Sequence, residues 1–150
     1  MSTGAPAGDE PACSIERSLE VLGERWTFLI LREIFAGRHK FADIRAALRV
    51  APNLLSARLK SLVSAGVLRT MTYQEPGSRH RQSYHLTQAG QDLRIVLAAL
   101  QQWGDIHRPR SVGPSGVRRT KSTDEPVRVG FVTDNGGEVP ASDVSFLLNK

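Results

Sequence analysis

Across residues 52–87 the chain switches from a helical to an extended apolar pattern and back, and the residues at each switch leave little choice of fold. Pro52 suits a first helical position, where its missing N–H would be unpaired in any case. Leu55, Leu59 and Leu62 then recur at i, i+4 and i+7, which is one apolar stripe of a helix over residues 52–65. Asn53, Ser56, Ala57, Lys60 and Ser64 fall on the opposite face, with Arg58 at the boundary, and Gly66 supplies the stop. Residues 67–73 read as a strand, Pro76-Gly77-Ser78 as a turn, and residues 82–86 as the returning strand. One helix face is made for a core. The other is small, polar and positively charged, and a hairpin follows it.

Charge gives that second face a meaning. From Arg38 to Arg81 there are nine lysines and arginines against two acids, Asp43 and Glu75, although the whole chain carries only +5. The basic charge is therefore concentrated here, with Arg79, His80 and Arg81 at the hairpin tip or on its return. A polar helix face followed by a basic hairpin places a helix in a major groove and a loop on neighbouring phosphates. The pI near 10.0 agrees with a polyanionic partner. Double-stranded DNA is the expected partner.

The residues upstream supply the body that such a unit needs. Ser14 is the expected N-cap of a helix with Ile15, Leu19 and Leu22 as core positions, stopped by Gly23. Residues 26–36 are apolar on nearly every side (Trp26, Phe28, Leu29, Ile30, Leu31, Ile34, Phe35), so this helix is expected at the centre of the core. Phe41, Ile44 and Leu48 mark a shorter third helix before Pro52. Three helices, a fourth with a polar outer face, then a hairpin make a mainly α fold with a small β wing, an α+β winged helix-turn-helix. Residues 41–48 and 52–65 form the helix pair itself.

After the wing, Thr87 is expected to cap a helix over residues 88–103. Leu93, Val96, Leu97, Leu100 and Trp103 lie on an apolar face broadened by Ile95, Ala98 and Ala99. A face that wide points to a partner helix from a second copy, so a homodimer joined through this helix is expected, reading a palindromic operator. Residues 105–125 are rich in Pro, Ser, Gly and Arg and read as a flexible basic linker. Val127, Val129 and Phe131 alternate, residues 134–137 signal a turn, and Val144, Phe146 and Leu148 alternate again. The expected organisation is a disordered leader (1–12), a DNA-binding and dimerisation domain (13–104), the linker (105–125) and a C-terminal hairpin (126–150).

Other classes are poorly served. A single cysteine excludes an internal disulfide and a cysteine-based zinc site. The four histidines, His39, His80, His85 and His107, show no metal-ligand spacing, so neither metal nor cofactor is expected. The leader carries Asp9 and Glu10 and no apolar run, unlike a signal peptide, and no stretch is long enough to span a bilayer. A cytoplasmic, nucleoid-associated protein without membrane contact is expected. An enzyme built on Cys13 lacks a paired base or oxyanion donor nearby, so no catalytic residue is assigned. A winged-helix protein-interaction module with no specific DNA site is the alternative, but it leaves the basic wing without a role.

CSIERSLEVLGERWTFLILREIFAG, FADIRAAL, LLSARLKSLVSAGVL, YHLTQAG and a final Trp103 occur in this order. Over residues 13–104 they resemble the HxlR-type regulators, a branch of winged-helix transcription factors near MarR. The resemblance implies a homodimeric bacterial DNA-binding regulator with Asn53, Ser56, Arg58 and Lys60 on or beside the reading face and Arg79, His80 and Arg81 in the wing. Two departures stand out: Ala51 occupies a place where Ser or Thr often caps, and the chain after Arg108 lies outside the shared pattern. Cys13 matches a position that senses oxidation in some members, and helix-start dipoles favour a thiolate. The competing reading is a small residue filling a gap. Effector pockets in related regulators lie near the dimer helices, so Trp26 or Trp103 would border one, with the effector itself unspecified.

Overall fold

The computed structural model of the chain describes residue 11 and residues 13–147. It divides into two compact units, Met1–Gln91 and Asp92–Lys150. The leader expectation for residues 1–10 and 12 and the strand position of Leu148 fall outside the described residues.

The first unit opens with α1 (Ser14–Leu22), α2 (Arg25–Phe35), α3 (Phe41–Leu48) and α4 (Pro52–Ser64). Cys13, not Ser14, occupies the cap position of α1. Ser14 is the first helical residue, and its carbonyl accepts from the Ser18 hydroxyl at 2.8 Å. Ile15 and Leu19, expected in the core, are 60% and 56% exposed. The stripe on α1 is real, but the described residues of this unit do not cover it.

The core is built from Ile30, Leu31 and Ile34 of α2, Ile44 of α3, Leu55, Leu59 and Leu62 of α4, and Val50, Val67 and Leu68. The central place of α2 stands. Its Trp26, Phe28, Leu29 and Phe35 are only half-buried, whereas the charged Glu33 is buried. That carboxylate is tolerable because Arg32 and Arg38 each approach it at 2.8 Å.

Helix α4 begins with Pro52 behind Ala51, which makes no side-chain cap bond. It ends as the glycine predicted: Gly66 has φ +76°, its N–H donates to the Val63 carbonyl at 3.1 Å, and Val67 N–H donates to Leu62 at 3.0 Å. This pair of bonds is a Schellman stop, which satisfies carbonyls the helix would otherwise leave bare.

Strands β1 (Leu68–Tyr73) and β2 (Arg81–Leu86) pair antiparallel, with Leu68 opposite Leu86 and Tyr73 opposite Arg81. The α2–α3 connection adds a third, very short member: Lys40 bridges Ser83, and Tyr84 N–H donates to the His39 carbonyl at 2.8 Å. The wing is thereby hydrogen-bonded to the segment that starts α3. Thr87 caps the following helix as expected, its hydroxyl accepting from Gly90 N–H at 3.2 Å.

The helix expected over residues 88–103 is two helices, α5 (Gln88–Asp92) and α6 (Arg94–His107). Leu93 lies between them with ψ −6°, well short of regular helical geometry. Gly90 in α5 is buried, and a Cβ there would collide with the Val67 carbonyl. The backbone approach at α5 thus depends on glycine.

In the second unit α6 runs on through Asp105, Ile106 and His107. Gln102 of α6 acts as a surrogate strand: its amide donates to the Val129 carbonyl at 3.0 Å and accepts from Val129 N–H at 2.9 Å. Arg118 donates to the Gln101 side chain at 2.7 Å, and Arg119 forms an antiparallel bridge with Pro126. The expected C-terminal pairing is shorter and shifted. Strand β3 (Phe131–Val132) pairs with β4 (Glu138–Val139) around the predicted turn, where Gly136 has φ +86°. Residues 144–146 form no return strand; Pro140 removes an amide donor just after β4, and a 3-10 turn follows at Ala141–Asp143.

Candidate nucleic-acid interface

Helix α4 keeps its two faces apart. Leu55, Leu59 and Leu62 are buried, while Asn53, Ser56, Lys60 and the intervening small residues are exposed. The first turn of α4 has no capping side chain at Ala51 and no N–H on Pro52. Arg58 is placed differently from the other residues named on this helix. It is half-buried, with Nη1 3.6 Å from Glu24 Oε1, so it braces α4 against the start of α2.

The wing carries the second part of the surface. Arg79 and His80 are exposed in the turn that precedes β2, and Arg81 begins that strand. Gly77 takes φ +77°, and Ser78 N–H closes the turn on the Glu75 carbonyl at 3.0 Å. Arg79, Arg81 and Lys60 have no ion-pair partner among the described residues. Their charge is available to a polyanion. Lys40 is not so free: its ammonium donates to Glu75 at 2.6 Å and lies 5.1 Å from the Tyr73 ring centroid. That hydrogen bond and the charge attraction raise the Lys40 pKa and lower that of Glu75. A shallow cleft between the start of α3 and the wing is lined by Phe41, Ala42, Tyr73, Arg79, Arg81 and Tyr84.

Sequence patterning did not find the joint between wing and helices. His39 and His85 stack with ring centroids 4.4 Å apart and an interplanar angle of 17°, although 46 positions separate them in the chain. No local period signals such a contact.

The residues expected at a subunit interface lie in the second unit. Leu93 and Leu97 are half-buried, and Val96, Leu100 and Trp103 are exposed on α6. Trp103 has His107 tilted against it at 5.1 Å and the Arg108 guanidinium 5.7 Å away. Cys13 is half-buried at the start of α1. No cluster of three or more metal-ligating side chains occurs among the described residues, and no described helix is long and apolar enough to cross a membrane.

A family model described as HxlR-like helix-turn-helix matches residues 21–112. The chain belongs to the HxlR-like helix-turn-helix family. Membership makes it a transcriptional regulator of the helix-turn-helix kind and implies DNA binding. A relative in Mycobacterium tuberculosis, the HTH-type transcriptional regulator Rv3095, is 38% identical over 133 residues, 88% of this chain and 83% of the relative. The solved structure of PA1607, a putative transcription factor, matches with a TM-score of 0.80 at 30% identity, covering 93% of this chain and 97% of the other. PA1374 of Pseudomonas aeruginosa, also described as a putative transcription factor, matches with a TM-score of 0.63 at 35% identity, covering 89% and 90%. The reduced form of YodB from Bacillus subtilis is 27% identical with a TM-score of 0.55, but covers only 63% of this chain against 93% of its own. The first three similarities extend past residue 112, where the family match ends, so this HxlR-like chain shares part of its tail with some relatives.

Proposed function

We propose that this HxlR-like protein is a sequence-specific regulator that binds double-stranded DNA as a homodimer at the nucleoid. Helix α4 enters the major groove, and residues 73–82 lie on the adjacent backbone. The observation that carries the reading is that one unit exposes both the polar face of α4 and the wing's Arg79 and Arg81, which have no ion-pair partner among the described residues. Asn53, Ser56 and Lys60 are the proposed base-edge readers; Arg79, His80 and Arg81 hold phosphates. Arg58 stays beside this surface as a brace. The proposed dimer contact uses Val96, Leu100 and Trp103 with Leu93 and Leu97, supported by the bare apolar face of α6. Residues 13–104 are the proposed DNA-binding and dimerisation region, with the later residues as an appended segment.

The test begins with selection of bound duplexes from a randomised pool. The recovered site should be palindromic, and its affinity should fall steeply with salt, by about 0.9 log units per log unit of salt for each phosphate held. Recovery of no preferred sequence, together with a shallow salt dependence, overturns the reading. The two readings of Cys13 separate on the same duplex. A sensor thiol makes mild oxidant change the affinity of the native protein and not of Cys13→Ser, whereas a gap-filling residue gives equal responses.

A further inference from the structure

The wing is held to the helix-turn-helix by a connection whose key contacts involve two imidazoles. His39 Nδ1 lies 2.8 Å from the Tyr84 carbonyl oxygen, which can only accept, so Nδ1 carries the proton. The same residue's carbonyl accepts from Tyr84 N–H, so His39 clamps both backbone groups of Tyr84. Ser83 donates its single hydroxyl proton to the Met71 carbonyl at 3.1 Å. With that proton so placed, the Ser83 oxygen accepts from His85 Nε2 at 2.8 Å. The two rings stack with their centroids 4.4 Å apart.

We propose that the stacked His39–His85 pair is a positioning joint that seats the wing against the helix-turn-helix at neutral pH and releases it on acidification. The proposal rests on the DNA-binding reading above and adds a regulation to it.

Protonating both rings keeps the two donated bonds but sets like charges face to face at the stacking distance. The surroundings do not relieve this. Across β1, Arg69 stands opposite His85 in the strand register. On α2 the carboxylate of Glu33 is already held by Arg32 and Arg38. In the connection, Lys40 is engaged by Glu75, and α3 adds Asp43, which acts on Lys40. Burial first, then His39, then Arg69 hold the His85 imidazolium below its ordinary range. A base depressed in the folded state stabilises the fold fully above the ordinary value near 6.5 and loses that contribution as pH falls below it. Acid therefore favours the open joint.

This direction is opposite to the usual one. Simple gain of positive charge on a wing tightens its binding to a polyanion. The joint predicts a loss instead.

The experiment compares the native chain with His39→Asn/His85→Gln, in which the amides can still donate to Tyr84 O and Ser83 Oγ but cannot ionise. Hydrogen exchange of the Tyr84 amide, which bonds directly to His39, reads the joint without DNA; core amides of α4 serve as the internal reference. A proton excluded from the His85 ring in the closed form raises the opening equilibrium by up to about tenfold at about pH 5.5. The native protein should show that rise and the variant should not, and His85→Gln alone should lose part of it if the double variant does not fold. The second arm titrates the duplex recovered by selection. The ratio of native to variant affinity should fall from about pH 7.5 to about pH 5.5, and a flat ratio overturns the regulation. Equal Tyr84 protection in native and variant protein at every pH overturns the joint itself. If no duplex is bound at any pH, the DNA reading fails while the exchange arm still decides the joint.

Discussion

The two units of this molecule put similar helical patterns to different uses. In Met1–Gln91 the stripes of α2 and α4 close on each other, and Ile30, Leu31, Leu55, Leu59 and Leu62 are at most 2% exposed. In the described part of Asp92–Lys150 no residue is buried, although Ile95, Leu100, Trp103, Ile106 and Phe131 are all large and apolar. Periodicity marks a face that is to be covered. It does not say whether the cover comes from the same chain. In the first unit α2, α3 and α4 cover one another, whereas the α6 face and that of α1, with Ile15 and Leu19, are exposed.

Truncations in the two units test that contrast most severely. Leu59→Ala removes a fully buried side chain from α4 and should lower stability by about 2–5 kcal/mol, read as a fall in the denaturant midpoint. Leu100→Ala removes a side chain that is 50% exposed. At protein concentrations low enough to favour a monomer, it should cost within about 0.5 kcal/mol. Equal losses at the two sites would mean that α6 is already buried by its own chain.

A charge on the same face gives the next largest effect. Leu100→Glu should abolish self-association, because an unpaired carboxylate is costly in an apolar contact. Sedimentation velocity should give the monomer mass, with helical content retained because the site is open in the single chain. Leu97 is a poorer choice, since it is half-buried and its loss mixes folding with assembly. A native protein that is monomeric at every concentration would remove the proposed dimer.

How much could be read from sequence follows the same division. Helix α4 was legible because Pro52, the leucine stripe and Gly66 all act within one element. The wing strands were legible because a turn signal separates two short runs. The break at Leu93 was not, because it accompanies a backbone approach between Gly90 and Val67, distant in sequence. The His39–His85 stack belongs to tertiary packing, which no period records. In the tail, two-residue strands are too short to carry an alternation, and Gln102 substitutes a side chain for a strand neighbour. For the candidate interface, the exposed face of α4 was visible in the spacing, while the engagement of Arg58 by Glu24 needed coordinates.

Within the first unit, the helix and the wing can themselves be set against each other. Changing Asn53, Ser56 or Lys60 should cost about 1–3 kcal/mol on the selected duplex where the residue reads a base, with little effect on scrambled DNA. Removing Arg79 or Arg81 should weaken both duplexes alike and reduce the salt slope by about one unit for each phosphate no longer neutralised. Titrations of both duplexes at several salt concentrations separate the two patterns. If they come out exchanged, the hairpin is the reader and α4 the holder.

The smallest effect distinguishes two cations on one helix. Lys60 is exposed and unpaired among the described residues, whereas the Arg58 side chain is 26% exposed and reaches Glu24, itself 63% exposed, at 3.6 Å. A pair this open to solvent contributes about 0–1 kcal/mol, since water screens the attraction and two long side chains must be ordered. Arg58→Gln should therefore shift the denaturant midpoint slightly and leave the salt slope of DNA binding unchanged. Lys60→Gln should do the reverse if its ammonium also meets a phosphate, and should change base preference if it meets a base edge. The Arg58 variant would contradict its role as a brace by losing a full unit of salt slope with no change in stability. That outcome would mean the guanidinium leaves Glu24 for a phosphate when DNA is bound, and Glu24→Gln should then strengthen binding by freeing it.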